Sequence, residues 1–244
     1  MVKGYIIPDP IVSSSIELFW DPETENEAYA VMGPSLKTEL NKAPSFEFTV
    51  IPSNVWYDHF NRKKTIILIY DNDDLLFEGR VSSISTDFFK QKKVSCEGAI
   101  AYLMDSLQPG DKLQDGTITE VGENDGYHSE SVEIPIEETI DSHIRRMIAR
   151  HNNDVDWFKQ IYVGIIDSKD GEQEFDSSGY RTTWEAFESD LIERFGGYMQ
   201  VRRGVSSRGE NPELNYLDYL PIDRLTGSTS NTMTFGENII QLTQ

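Results

Sequence analysis

Apolar and polar positions alternate through much of the first hundred residues. Ser45-Phe46-Glu47-Phe48-Thr49-Val50 places Phe46, Phe48 and Val50 on one face of a half-buried strand. Thr65 to Tyr70 is a continuous β-branched run, the pattern of a buried strand. Asp71-Asn72-Asp73-Asp74 turns the chain and Leu75 to Ile84 returns, which predicts a hairpin. Shorter strands are predicted at Ile16–Trp20, Tyr29–Met32 and Leu36–Leu40, separated by Pro, Gly and Asp or Asn. Pro52-Ser53-Asn54 reads as the opening of a short helix in which Trp56 and Phe60 share a face. Val94-Ser95-Cys96-Glu97 is a further strand. It leads into a helix from Gly98 to Leu107, with Ile100, Leu103 and Leu107 inward and a stop at Gln108-Pro109-Gly110.

The second half mixes periods. Thr117 to Val121 has a strand pattern, followed by an exposed polar loop over Gly122–Glu130. Pro135 opens a helix with Glu137, Glu138 and Asp141 early and Arg145, Arg146 and Arg150 late, the order favoured by the helix dipole. Ile136, Ile140, Ile144 and Ile148 mark its buried side. Ile161 to Ile166 is a strand. Thr182-Thr183-Trp184-Glu185 matches a capping box with Thr182 as N-cap and Glu185 three residues on. Trp184, Phe187, Leu191 and Phe195 form the apolar stripe of that helix, and Gly196-Gly197 ends it. Tyr198 to Arg203 is a strand, Gly204 to Glu213 a mobile turn, and Leu214 to Leu220 pairs back. The fold class is therefore α+β and β-rich. A break near Pro109 divides it into a β-barrel-like domain over 1–108 and an α+β domain over 109–244.

The 244 residues suffice for one large or two modest domains. Hydrophobic residues make up 38% and aromatic residues 11%, too apolar for a disordered chain. No run of 18 apolar residues occurs, so no helix is predicted to span a bilayer, and the first residues lack a signal-peptide pattern. The lone Cys96 excludes an intramolecular disulfide and suits synthesis in a reducing cytoplasm. Lys and Arg number 22 against 42 Asp and Glu, a net charge of −20 that argues against stable nucleic-acid binding. Such a charge serves solubility, or a surface that repels a polyanion.

The residues that could carry chemistry do not assemble into a pattern. His143 and His151 are eight apart, about 12 Å along a helix and too far for one metal. His151 reads as a favourable charge at a helix C-terminus. Asp71-Asn72-Asp73-Asp74 with Glu78 falls short of a calcium loop, because Leu76 and Ser82 stand where Gly and Glu are required. Ser206 and Ser207 lack the nucleophile-elbow pattern. Cys96 sits in an alternating strand as a small buried hydrophobe, and no Gly-rich phosphate loop is present. No catalytic, cofactor-binding or metal-binding residue is predicted. Gly79 within a strand suggests a bulge or a close backbone approach, and Gly98 an abrupt change from strand to helix.

Three stretches, Phe77-Glu78-Gly79-Arg80-Val81, Asp87-Phe88-Phe89 and the run from Cys96-Glu97-Gly98 to Met104-Asp105-Ser106, resemble the amino-terminal region of a known family. It is that of the prophage tail endopeptidases, or tail-associated lysins, of siphophages infecting Gram-positive bacteria. Thr183-Trp184-Glu185, Arg194-Phe195-Gly196-Gly197-Tyr198, Asn215-Tyr216-Leu217-Asp218-Tyr219 and Thr234-Phe235-Gly236-Glu237-Asn238-Ile239-Ile240 continue the resemblance in the same order. It runs from about Ser45 to the end and is loose over the first forty residues.

The resemblance implies a baseplate-hub-like fold, a β-barrel followed by an α/β segment that ends where a second barrel would begin. It implies a structural, non-enzymatic role in a phage or prophage virion, at the tail tip. There a homotrimeric hub would close the tail tube, meet the distal tail protein and the tape measure protein, and let DNA pass on ejection. The family's lytic activity belongs to a carboxy-terminal extension that is expected to lie beyond Gln244. The 244 residues alone are then expected to be monomeric or weakly associated, and to trimerise with downstream sequence. Two other readings remain open: a module binding host cell-wall carbohydrate, and a cell-wall peptidase by family name only.

Overall fold

Two hydrophobic cores, one on each face of a single strand, organise the molecule. The structure, a computed structural model, describes residues 1–108, 136–168, 171–175 and 180–221. Strands β1 (Val2–Ile7), β2 (Glu17–Trp20), β3 (Val31–Lys37), β4 (Ser45–Val50), β5 (Ile66–Asp71), β6 (Asp74–Thr86) and β7 (Lys92–Gly98) form one antiparallel sheet. Its order is β2-β1-β5-β6-β7-β4-β3. The sheet curls until its two edges meet. The Asn54 side chain donates to the Phe19 and Ala30 carbonyls, both at 3.1 Å, and Asp21 N donates to Tyr29 O at 3.2 Å. Inside the curl lie Ile6, Phe19, Phe46, Phe48, Val50, Phe77, Val81, Val94 and Cys96, all buried.

Strand β5 carries the Ile66-Ile67-Leu68-Ile69 run because both of its faces are covered. Ile67 and Ile69 point into the barrel core, and Ile66 and Leu68 point into the second core. The second half of the chain supplies β8 (Leu107–Gln108), β9 (Ile136–Glu138), α1 (Ile140–Asp154), β10 (Ile161–Ile166), β11 (Gln173–Phe175), β12 (Arg181–Thr182), α2 (Thr183–Phe187), α3 (Glu193–Phe195), β13 (Tyr198–Arg203) and β14 (Asn215–Leu220). A three-stranded sheet in the order β10-β14-β13 and the short pairs β9–β11 and β8–β12 frame α1 and α2. Ile144, Met147 and Ile148 of α1 meet Trp184 and Phe187 of α2, Leu217 and Tyr219 of β14, and the Ala99–Leu103 segment in one cluster with Ile66 and Leu68. The fold is α+β and β-rich, as the alternation predicts.

Several elements differ from the pattern, each for a local reason. The two predicted strands Tyr29–Met32 and Leu36–Leu40 are the single strand β3, interrupted where its register shifts between Met32 and Ser35. Gly33 sits in that irregularity with φ +55°, a conformation for which glycine is the default residue. No helix follows Pro52. The Asn54 carboxamide instead accepts from Trp56 N at 2.9 Å, a local turn that competes with helix formation, while Phe60 is buried. Residues Ala99–Met104 form a 3₁₀ segment rather than a helix reaching Leu107, and Leu107 is exposed in β8. Gly98 has an ordinary extended backbone. Its requirement is space, since an added Cβ would stand 2.5 Å from Pro44 Cγ. Gly79, opposite it in the sheet, would place a Cβ 2.3 Å from the Glu97 carbonyl, the predicted close approach.

Helix α1 begins later than the pattern suggests. Thr139 is the N-cap and accepts from Ser142 N at 3.2 Å, so Ile136, Glu137 and Glu138 belong to β9. The predicted capping box at Thr182 and Glu185 is formed. The stripe beyond it breaks. A π-helical turn at Glu188–Ile192 inserts between α2 and α3, and the extra residue per turn rotates the residues after it about the helix axis. Trp184, Phe187 and Leu191 stay buried while Phe195 is 39% exposed. Gly196 and Gly197 close the helix with φ +73° and +89°. The strand predicted at Thr117–Val121, the Gly122–Glu130 loop, the stop and break at Pro109, the Pro135 helix start and the Thr234–Ile240 motif lie outside the described residues.

Candidate functional site

One set of charged and polar groups that the fold withdraws from water gathers where the two cores meet. Arg80 leaves the middle of β6 and is 2% exposed. Its Nε donates to Glu97 Oε1 at 2.8 Å, its Nη2 to Asp105 Oδ1 at 3.0 Å and to the Ala101 carbonyl at 3.3 Å, and its Nη1 also pairs with Asp105. Asp105 receives Lys159 at 3.1 Å and Lys63 at 3.6 Å as well. Burial alone would raise the Asp105 carboxyl, but Arg80 and Lys159 outweigh it and hold it at about 2. An open depression of about 580 Å³ lies beside the cluster, lined by Lys63, Asp105, Asp154, Asp156 and Lys159. Both Asp105 oxygens are engaged by cations there, so the carboxylate is an anchor rather than a base.

Beside this cluster runs a chain of buried hydrogen bonds. Gln108 Nε2 lies 3.1 Å from the Met147 carbonyl and 2.7 Å from Thr183 Oγ1. Thr183 Oγ1 is 2.6 Å from Ser106 Oγ, which is 2.7 Å from His151 Nδ1, and His151 Nε2 is 3.1 Å from the Lys159 carbonyl. A carbonyl only accepts, so His151 donates from Nε2. Desolvation lowers the His151 pKa, against the opposing pull of that bond, and leaves the ring neutral with Nδ1 as acceptor. Ser106 therefore donates to His151, Thr183 to Ser106, and Gln108 to Thr183. His151 is fully buried. The reading of it as a favourable end charge is corrected: it is a neutral link joining α1, α2 and β8.

His143, on the same helix, is separate. Its ring stacks on Phe175 with centroids 3.8 Å apart, Nδ1 lies 2.8 Å from Glu138 Oε1, and Nε2 lies 3.4 Å from Asp190 Oδ2. Arg146 and Arg181 balance these carboxylates at 2.6 and 2.8 Å. Two further arginines tie the small sheet. Arg202 bonds Asp218 and Glu210, both at 2.6 Å, and holds the Glu210 carboxyl at about 2. Arg203 pairs with Glu78 and so joins β13 to β6 across 125 residues. Burial raises the Glu78 carboxyl, with Arg203 opposing.

These arrangements bear on the sequence candidates directly. Asp71, Asn72, Asp73 and Asp74 make the hairpin turn between β5 and β6, with Asn72 at φ +53°. Ser206 and Ser207 lie in an exposed 3₁₀ turn. Cys96 is a buried member of the barrel core, and burial pushes its thiol well above the ordinary value. Among the described residues no group of three or more His, Cys, Asp or Glu side chains converges as metal ligands, and no helix is long and apolar enough to cross a membrane. Sequence reasoning missed the Ser106–His151 pair and the role of Arg80. An arginine flanked by Gly79 and Val81 in a core strand was the available signal for the latter.

No protein-family model matches the sequence, and no curated protein does either. Solved structures do. The chain is similar to prophage tail protein gp18 from Listeria monocytogenes EGD-e, with 14% identity and a TM-score of 0.54 over 97% of this chain and 56% of that one. The neighbours are tail proteins. Another is the tail protein from Neisseria meningitidis MC58, at 10% identity and TM-score 0.49 over 89% of this chain and 50% of that one. A third is the 43 kDa tail protein of prophage MuSo2 from Shewanella oneidensis, at 10% and 0.46 over 91% and 56%. The chain thus spans about half the length of the structures it matches. At such identity the likeness to the Listeria protein is one of fold.

Proposed function

We propose that the chain is a structural, non-enzymatic component of a phage or prophage tail, placed at the tail tip as part of the hub that closes the tube. One observation carries the reading: 97% of the chain follows the fold of a prophage tail protein. The buried polar groups support it. Arg80, Asp105, Ser106 and His151 are each held by several partners and engaged in joining elements, as in a scaffold. In this reading 1–108 is the barrel and 109–244 the α+β unit, and Ile66 and Leu68 of the barrel seat the second unit. The partners are the distal tail protein, the tape measure protein and, in a full-length hub, two further copies. The acidic surface leaves passing DNA unbound.

Antibody labelling of purified tails tests this. Label at the distal end, together with co-purification of the distal tail protein, is the expected result. Label along the tube or on the capsid would overturn it, as would hydrolysis of peptidoglycan by the purified chain. Glycan binding by the chain without other tail proteins would favour a wall-recognition module instead.

A further inference from the structure

Three connections of the barrel emerge at one end. Ile7 stands opposite Ile66, Ile66 opposite Arg80, Thr86 opposite Lys92 and Val50 opposite Lys92. These registers set residues 8–16, 51–65 and 87–91 beyond the same end of the sheet. Polar contacts tie them together. Thr65 Oγ1 donates to the Pro8 carbonyl at 2.8 Å, Lys64 pairs with Asp9 at 3.5 Å, and Tyr57 Oη donates to the Lys90 carbonyl. Because β5 opens at Ile66, opposite Arg80, strand β6 runs on past it from Val81 to Thr86 before it turns into β7.

This end displays apolar side chains that belong to neither core. Phe88 is 93% exposed and Phe89 75% exposed, and their rings meet edge to face with centroids 5.5 Å apart. Val12 is 82% exposed, and Ile11, Ile16 and Val55 are each half exposed or more. Charge sets the end apart as well. The three connections hold Arg62, Lys63, Lys64 and Lys90 against Asp9, Asp58 and Asp87, a net +1. The whole chain carries −20, which leaves −21 on everything else. Exposed apolar groups thus coincide with the loops that escape the acidic character of the chain, the composition of a contact surface.

We propose that this end of the barrel contacts lipid, with Phe88, Phe89, Val12 and their aliphatic neighbours entering the interfacial layer of a zwitterionic phospholipid bilayer. Two features favour lipid over a protein. A protein interface needs a fitted, close-packed core, whereas these side chains stand on separate loops. A fluid headgroup layer closes round such tips. The half-exposed Lys63 and Lys64 side chains can lay their stems along it, with the ammonium groups at the phosphates. The near-neutral end then faces the headgroups, and the carboxylates of the remaining chain stay in water. An anionic bilayer would repel that −21 and gain little from a net +1. The contact lies on the membrane surface and spans nothing. It goes beyond the tail reading and does not depend on it.

Co-sedimentation of the 244-residue chain with phosphatidylcholine vesicles tests the proposal. Binding that persists in about 0.5 M salt is expected, because apolar insertion rather than charge carries it. Phe88→Ser with Phe89→Ser should lower the partition coefficient at least about tenfold, and Ile11→Ser with Val12→Ser at least about threefold. Leu76→Ser, an exposed position beside the hairpin at the opposite end of the sheet, should leave it unchanged. All these side chains lie outside both cores, and an unchanged unfolding temperature verifies that each variant is folded. No binding at about 1 mM accessible lipid overturns the proposal, as does binding equal in all variants. Binding confined to phosphatidylglycerol vesicles and abolished by salt would make the contact electrostatic and refute insertion. A phenylalanine variant that alters self-association but not vesicle binding would assign the tips to a protein contact instead.

Discussion

Ser106 Oγ stands 2.7 Å from His151 Nδ1, with His151 Nε2 turned to the Lys159 carbonyl and both side chains closed off from water. A serine and a histidine at this distance are the start of a nucleophilic pair. Here the serine also accepts from Thr183, and the imidazole is fixed as one tautomer by a carbonyl. The relay uses its donors to hold Gln108, Ser106, His151 and Thr183 in register.

Stability should therefore fall as pH drops below about 6.5, the ordinary value for histidine. Burial lowers the folded His151 pKa, so between that value and 6.5 the unfolded chain binds the extra proton. The contribution is complete above 6.5 and is lost as pH falls through the folded value. Thermal unfolding of the protein and of His151→Gln between pH 7 and pH 5 measures it. The variant, which keeps an amide donor and acceptor, should lose about 1–3 kcal/mol at pH 7 and show a flatter dependence on pH. An equal slope in both proteins would remove His151 as its cause.

Asp105 predicts a second loss, at lower pH. Its carboxyl is held at about 2 in the fold, so its contribution is present above the ordinary 3.8 and lost as pH falls toward 2. Asp105→Asn leaves Arg80 buried with Glu97 as its remaining carboxylate, and should cost about 3–5 kcal/mol at neutral pH. Arg80→Met should cost a similar amount, and the double variant less than the sum of the two. Strict additivity would show that the pair does not act as a unit.

The pattern of apolar positions was sufficient for most strands, because period-two alternation in β4 and the unbroken run in β5 each admit one burial arrangement. It was less informative where one residue changes phase. The π-helical turn at Glu188–Ile192 leaves no mark in the spacing of Trp184, Phe187, Leu191 and Phe195, yet it turns Phe195 outward. Gly33 and Pro34 suggested a break, where the chain instead bulges within one strand. The networks at Arg80 and His151 were illegible for another reason. Apart from the His151–Lys159 bond, which spans 8 residues, their partners lie between 17 and 77 residues apart in sequence, and the pairing of β8 with β12 and the packing of α1 bring them together.

The phase change makes a direct mutational contrast. Trp184 is 5% exposed at the start of the helix, and Trp184→Ala should cost about 3–5 kcal/mol by leaving a cavity. Phe195 retains an edge-to-face contact with Phe175 and the stacked Arg194 guanidinium, but one side faces solvent. Phe195→Ala should cost only about 1–2 kcal/mol, the order of one aromatic contact and partial burial. Chemical denaturation of both variants decides it. Equal losses would mean that the helix keeps α-helical phase through Ile192.

The charge of −20 gives the last prediction. Three copies in a ring would carry −60, three times −20, and a tube that releases DNA gains nothing from a surface that retains it. Lys90, Lys92 and Lys93 do not reverse this, since Lys92 and Lys93 are paired with Asp58 and Glu47. Affinity for duplex DNA depends on counterion release by many cations, and most Lys and Arg among the described residues are held by a carboxylate. In a mobility-shift titration at about 0.05 M salt, where electrostatic binding is strongest, the chain should leave duplex DNA unshifted. In an assembled ring the carboxylates should be denser on the lumen than on the outer wall. A salt-sensitive shift, or a lumen lined with Lys and Arg, would show that the acidic surface serves some purpose other than keeping DNA free.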